Sequence, residues 1–95
     1  MVTHLFLFRF GDVSDATRVE ALRAIEGLRD EIDVIRSLEV GRDFLRSPLS
    51  YDVGVTVTFA DRAALLEYQD HPRHREVVGH LRAVARDVAI VDYEP

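Results

Sequence analysis

The first predicted strand is apolar on both of its faces, and this constrains the fold more than any other feature. Successive side chains of a strand point to opposite sides, so His4 and Phe6 share one face while Leu5 and Leu7 share the other. Each apolar face must be covered. Helices of the same chain cover one face, and a second copy of the chain is the expected cover for the other. The alternative is that the loop from Arg46 to Tyr51 covers a narrow outer face.

The spacing of apolar residues predicts the order strand, helix, strand, strand, two helices, strand over the 95 residues. The predicted elements are a strand over 3–10, a helix from an N-cap at Ser14 through Ile32, strands over 36–44 and 52–59, a helix after the N-cap Asp61, a helix after Pro72, and a strand over 88–93. The apolar stripe of the first helix is Val19, Leu22, Ile25, Leu28 and Ile32. The inward arc of the last helix is Val77, Leu81, Val84, Ala85 and Val88. This order predicts an α+β chain with the ferredoxin-like βαββαβ fold, a four-stranded antiparallel sheet and a single domain over 1–95.

Composition excludes several classes of function. Seventeen acidic residues against twelve basic ones give a net charge of −5, so no basic surface for nucleic acid is expected. The chain has no cysteine, which excludes disulfides and thiolate metal sites, and all its basic residues are arginine, which excludes Schiff-base chemistry on lysine. The apolar run 2–10 is too short to span a membrane and lacks the features of a leader, so we expect a cytoplasmic protein with no membrane partner.

The segment Tyr68–His74 concentrates the residues that suit chemistry, because it holds two imidazoles and a phenol around a proline. If the last helix includes His74, its side chain falls within the inward arc. His71 precedes Pro72, which biases it away from helical geometry and toward an exposed or capping position. Tyr68 follows Leu65 by one turn and shares its inward stripe. His80 projects to the edge of the arc.

The same segment is similar to a known family signature, Asp61-x-x-x-Leu65-x-x-Tyr68-x-x-His71-Pro72-x-His74. It resembles the signature of the Dabb domain, the stress-responsive dimeric α/β-barrel proteins. Three further segments are similar to that family in kind and order: His4-Leu5-Phe6-Leu7-Phe8-Arg9-Phe10, Glu39-Val40-Gly41-Arg42 and Val91-Asp92-Tyr93-Glu94. The resemblance covers nearly the whole chain and implies a homodimer that forms an α/β barrel.

The family includes a plant polyketide cyclase, and its catalytic pair corresponds here to Tyr68 and His74. His4 matches a strand histidine that supports the pair. The resemblance therefore implies cofactor-free acid/base chemistry on a small hydrophobic ligand that contains a carbonyl group. Where the cyclase favours aromatic residues on the first helix, this chain has the aliphatic Leu22 and Ile25, which changes the size and shape of the expected ligand.

If His4 lies on the strand face under the helices, it converges with Tyr68 and His74 on one pocket. The residues expected to line that pocket are Leu22, Ile25, Val55, Val57 and Val77. A neutral imidazole in an apolar pocket acts as a general base near neutral pH, and a tyrosine hydroxyl donates a hydrogen bond to a carbonyl oxygen as enolate charge develops. We expect His74 to be the base and Tyr68 the donor.

The sequence is compatible with three functions. They are a cofactor-free enzyme of carbon-acid chemistry, a non-catalytic binding protein that uses the same pocket, and a structural or stress-response homodimer whose core is filled and whose histidine is satisfied internally. A cofactor-free monooxygenase is a further enzymatic alternative. A metal site built from His71, His74, Glu76 and His80 is disfavoured because Pro72 disrupts the helical register it needs, so we expect neither metal nor cofactor.

Overall fold

The computed structural model describes all residues from Met1 to Pro95. Its elements are β1 (Val2–Phe10), α1 (Asp15–Glu31), β2 (Ser37–Arg42), β3 (Val53–Phe59), α2 (Arg62–Asp70), α3 (Pro72–Val84) and β4 (Ala85–Tyr93). The strands form one sheet in the order β2-β3-β1-β4, and every neighbouring pair is antiparallel. This is the ferredoxin-like βαββαβ arrangement, so the predicted fold class is confirmed.

Both predicted N-caps are confirmed. Ser14 accepts a hydrogen bond at Oγ from the backbone N–H of Thr17, at 3.2 Å, and Asp61 accepts one at Oδ1 from Ala64, at 2.8 Å. A side-chain oxygen in this position satisfies an N–H group that has no partner within its own helix. The caps therefore fix where α1 and α2 begin.

The core lies between the inner face of the sheet and the helices. Alternation places Val53, Val55, Val57 and Phe59 on the inner face of β3, and all four are buried. On β1 the same face carries His4 and Phe8, which are also buried. The inner face of the sheet and the buried stripes of the helices thus form one continuous apolar layer.

Val19 departs from the predicted stripe of α1, because its side chain is exposed. Each step of three residues along a helix falls short of a full turn by about 60°, so Val19 lies about 120° from Ile25 around the helix axis. The buried face of α1 begins at Ala21 and Leu22 instead. The prediction for Val19 was therefore wrong.

The junction between α3 and β4 also differs from the prediction. Ala85 and Val88 were assigned to the inward arc of the last helix, but α3 ends at Val84 and both residues belong to β4. The strand pairs with β1 as far as Phe10, which lies opposite Ala85, and the N–H of Gly11 donates to the carbonyl of Val84 at 2.8 Å. Strand pairing that is distant in sequence ends this helix, without a local glycine or proline.

The outer face of the sheet carries no helix. Leu5 and Leu7 of β1 are partly exposed there, beside Val91 and Ala89 of β4. The loop from Arg46 to Tyr51 reaches the end of this face, where the ring of Tyr51 packs 3.9 Å from the guanidinium of Arg9. The loop does not extend over Val91, whose exposed fraction is 49%.

None of the three helices combines the length and apolar character needed to cross a membrane.

Candidate active site

The turn between α2 and α3 positions the two residues of greatest chemical interest. His71 ends α2 through its N–H, which donates to the carbonyl of Tyr68 at 3.2 Å, and caps α3 through Nδ1, which accepts from the N–H of Arg73 at 3.0 Å. Pro72 follows in the first turn of α3, where its missing N–H costs nothing. The turn brings the ring of His74 to 4.3 Å from the ring of Tyr68.

His4 reaches the same region from β1. It is buried, and its ring lies 6.1 Å from that of Tyr68. Its Nδ1 is hydrogen-bonded to the carboxylate of Asp92, which lies directly opposite on β4. Since a carboxylate accepts, Nδ1 of His4 carries a proton, and Asp92 fixes the orientation of the ring.

A cavity of about 440 Å³ joins His4, Tyr68 and His74. Its deep wall consists of the buried side chains Ile25, Leu28, Val55, His4 and Tyr68. It opens to solvent between α3 and β4, where the lining residues Arg82, Val88 and Ile90 are exposed, and Gln69 at the end of α2 is also exposed. Most of the lining is apolar, so a ligand loses much of its water on entry.

Burial in this site sets the protonation of Tyr68. Loss of solvent raises the pKa of its phenol to about 12, because the charged phenolate is poorly solvated there. The hydroxyl therefore keeps its proton at neutral pH. Tyr68 makes no hydrogen bond through its side chain to another residue of the chain, which leaves the hydroxyl free to donate to a ligand.

Burial also favours neutral His74. Desolvation lowers the pKa of its imidazole below 6.5, and the nearby His4 and His71 lower it further, while the hydrogen bond to the carbonyl of Gln69 acts in the opposite direction. That bond joins Nδ1 to the carbonyl oxygen at 3.2 Å. Because a carbonyl only accepts, Nδ1 carries the proton, and Nε2 of neutral His74 holds a free lone pair.

Five of the eight residues predicted for the site lie on the cavity wall: His4, Ile25, Val55, Tyr68 and His74. The other three, Leu22, Val57 and Val77, are buried in the core and do not line the cavity.

Sequence reasoning missed Asp92, Gln69 and Arg82. The alternation of β4 puts Asp92 on the same face as Ile90, but its pairing with His4 depends on a strand register that joins the two ends of the chain. Gln69 contributes through its backbone carbonyl, for which a sequence gives no signal. Arg82 could have been found from its spacing, because it lies eight residues after His74, about two turns further along the same helix.

The histidines and acids of α3 do not form a metal site. His71 uses Nδ1 to cap the helix, and His80 is exposed and lies outside the cavity. Nowhere in the chain do three potential ligands among histidine and acidic side chains lie close enough to hold one ion.

Comparison with known proteins identifies the family. The family model described as Stress responsive A/B Barrel Domain, or Dabb, matches residues 2–95. The chain belongs to the Dabb family. One relative, a stress-response A/B barrel domain-containing protein of Arabidopsis thaliana, is 26% identical to this Dabb protein over 95% of this chain and 82% of its own length.

Two solved structures place this Dabb protein among its structural relatives. A dimeric ferredoxin-like protein of unknown function from Jannaschia is 31% identical, with a TM-score of 0.80 over 99% of this chain and 98% of that one. A hydroxynitrile lyase from Passiflora edulis has a TM-score of 0.89 over 97% of this chain and 90% of that one. At 14% identity, the lyase shares the fold alone.

Proposed function

We propose that this Dabb protein is a cofactor-free enzyme that removes a proton from the carbon next to a carbonyl group. The observation that carries the proposal is the pairing of Tyr68 with His74 at 4.3 Å between rings, on the wall of an apolar cavity of about 440 Å³. At neutral pH, neutral His74 has a free lone pair on Nε2, and the hydroxyl of Tyr68 keeps its proton and can donate a hydrogen bond. The site thus supplies a general base and a hydrogen-bond donor to one small ligand.

In the proposed step, Nε2 of His74 takes a proton from the carbon beside the carbonyl. The electron pair of the broken C–H bond forms the carbon–carbon double bond of an enolate, and the carbonyl oxygen takes the negative charge. The hydroxyl of Tyr68 stabilises that oxygen by a hydrogen bond, without transfer of its proton. The imidazolium of His74 then returns a proton to carbon, so the enzyme ends the cycle unchanged.

A substrate with a second carbonyl within reach allows ring closure of the polyketide-cyclase type. The enolate carbon attacks the second carbonyl carbon, a carbon–carbon bond forms, and the resulting alkoxide takes the proton from His74. The cavity volume falls within the range of small-molecule sites, about 300–1,000 Å³. Ile25, Leu28 and Val55 suit an aliphatic or ring-sized apolar body at its deep end.

His4 acts in this proposal as a positioning residue. Its bond to Asp92 holds the imidazole next to the ring of Tyr68. A fixed His4 ring restricts the orientation of the Tyr68 ring beside it. The Tyr68 hydroxyl and the His74 imidazole therefore keep the relative positions that the reaction needs.

Exchange of ketone α-protons with deuterium tests the proposal and should depend on pH. With 2-heptanone in D₂O, we expect the enzyme-dependent rate, followed by proton NMR, to rise as His74 loses its proton. The half-maximal rate should fall below pH 6.5, because the pKa of His74 is lowered, and the rate should then level off through neutral pH. Proton exchange no faster than in protein-free buffer, or a rate that falls as pH rises from 5 to 7, would contradict the proposal.

A non-catalytic binding protein is the second candidate, and the hydrogen bond between His74 and Gln69 favours it. This bond gives the imidazole a structural partner that any binding protein could also use. The proton-exchange experiment distinguishes the two functions, because a non-catalytic protein binds the ketone without exchanging its α-protons. A filled structural core is disfavoured by the volume of the cavity.

A homodimer completes the proposed assembly, with the outer faces of two sheets packed together. Leu5, Leu7 and Val91 form an apolar surface on the side of the sheet that no helix covers. The Jannaschia relative, 31% identical, is described as dimeric. A chain of this size has a small core of its own, so burial of a further apolar face adds to its stability.

Replacement of Val91 by arginine should convert the dimer to a monomer. Burial of one unpaired charge at each symmetric position opposes association. Light scattering after gel filtration should give twice the chain mass of 10.8 kDa for the wild type and a single chain mass for Val91→Arg. Leu66→Arg, at an exposed leucine on α2, is the matched control and should remain dimeric. A monomeric wild type, or an unchanged Val91→Arg dimer, counts against this interface.

Two further features of the proposal come from the sequence. We propose that residues 1–95 form one domain, and the family match over 2–95 supports this. The cytoplasmic location stays a prediction.

A further inference from the structure

Arg82 is a cation at the mouth of the cavity that no carboxylate of the chain neutralises. It lies in the last turn of α3, is exposed, and lines the cavity together with Val78 and Ala85. The ion pairs of the chain use other arginines, including Arg9, Arg46 and Arg73. Arg82 therefore has its charge available to a ligand.

We infer that Arg82 binds the anionic end of the ligand whose carbonyl end lies at Tyr68 and His74, an inference that rests on the proposed function. His74, Val78 and Arg82 follow one another at intervals of four residues, so they lie on one face of α3. All three line the cavity. Eight residues of helix span about 12 Å, which is the approximate separation along the helix axis of the backbone positions that carry the proposed base and the cation.

The distribution of charge along the cavity determines which end of the ligand lies at the mouth. The carboxylate of Asp92 lies at the His4 end and disfavours an anion there, whereas the guanidinium of Arg82 attracts one at the mouth. Between these ends, the lining includes the apolar Leu81, Val88 and Ile90. A ligand that enters with its anionic group last keeps that group near water and places its apolar body inside.

These features define a substrate class: an apolar chain or ring with a ketone at one end and an anionic oxygen group at the other. Guanidinium groups bind carboxylate and phosphate through the same pairs of N–H donors. The anionic group is therefore a carboxylate or a phosphate. A 9-oxodecanoate, with its methyl ketone and carboxylate at opposite ends of a saturated chain, is a suitable probe.

The test compares the affinities of matched ligands, measured by NMR titration, for wild type and Arg82→Gln. We expect 9-oxodecanoate to bind Arg82→Gln about fivefold more weakly, in keeping with a partly exposed ion pair, and 2-decanone to bind both proteins equally. Arg23→Gln removes an exposed arginine of α1 outside the cavity and should change neither affinity. The phosphate ester 9-oxodecyl phosphate forms the second arm, and a larger loss with it than with the carboxylate identifies phosphate as the preferred group.

Two results would overturn the inference. The first is equal affinity of wild type and Arg82→Gln for both anionic ligands. The second is an equal loss for 2-decanone, which would show that the arginine shapes the cavity without binding charge. Affinity is measured here without turnover, so absent proton exchange combined with a charge-dependent effect of Arg82 would refute the proposed enzyme and leave the anion site in place.

Discussion

Replacement of His74 by glutamine should lower the enzyme-dependent rate of ketone α-proton exchange by about 10²- to 10⁴-fold. This range is typical of the loss of a general base, because the remaining site still binds the ketone but has no group to accept the proton. Glutamine is neutral and polar, and therefore replaces the imidazole without burying a charge. The rate is measured by proton NMR with 2-heptanone in D₂O at pH 7.5, well above the lowered pKa of His74.

His80→Gln is the matched control for this variant. His80 lies six residues further along the same helix, but it is exposed and does not line the cavity. The His80→Gln variant should exchange the α-protons of the ketone at the wild-type rate. Thermal unfolding of both variants establishes whether α3 remains folded. Wild-type exchange by a folded His74→Gln protein would show that another group, or the solvent, acts as the base.

Replacement of Tyr68 by phenylalanine should lower the same rate by about 10²- to 10³-fold, the range seen when one donor to a developing oxyanion is lost. The hydroxyl has no partner within the chain, and its pKa of about 12 keeps it protonated throughout the neutral range. Phenylalanine retains the ring contacts with Phe59 and His74. The free energy of unfolding should therefore change by less than about 1 kcal/mol.

A second readout separates the loss of the donor from a general disturbance of the site. The ¹³C signal of a ketone labelled at its carbonyl carbon should move downfield on binding to wild type, as a hydrogen bond polarises the C=O group, and this shift should disappear with Tyr68→Phe. Tyr51→Phe, at a tyrosine that packs over Arg9 on the outer side of the sheet, should behave like wild type. An unchanged shift and rate in Tyr68→Phe would exclude the hydroxyl as the donor.

Protonation of His74 also links the site to stability. Its folded-state pKa is lowered, so the unfolded chain binds more protons than the folded chain as pH falls below 6.5. The contribution of His74 to stability is thus complete above pH 6.5 and is lost as pH falls toward its folded-state pKa. This range overlaps the rise of the predicted pH–rate profile, so rates at low pH need a parallel measurement of folding.

Local patterns account for the parts of the molecule that the sequence predicts well. The alternation of Val53 to Phe59, the caps Ser14 and Asp61, and the break at Pro72 each depend on residues within one turn or one strand. Tyr68 and His74 are six residues apart on either side of one capped turn, so their proximity is also a local property. Such features depend only on residues that are close together in the sequence, and this makes them predictable.

Features that depend on distant pairing were not predictable in the same way. The partnership of His4 with Asp92 and the early end of α3 at Val84 both follow from the register of β1 against β4. Periodicity indicates the buried face of an element, but not how far along that face a cavity extends. This is why Ile25 lines the cavity whereas Leu22, on the same buried face of α1, packs in the core.

A crystal structure of the protein with 9-oxodecanoate would show directly whether Tyr68 and His74 hold a ketone. We expect that the ketone oxygen accepts a hydrogen bond from the hydroxyl of Tyr68, that the terminal methyl group lies against Nε2 of His74, and that the carboxylate binds Arg82 at the mouth. A ligand bound outside the cavity, or one bound in reverse with its carboxylate at Tyr68 and His74, would contradict this expectation.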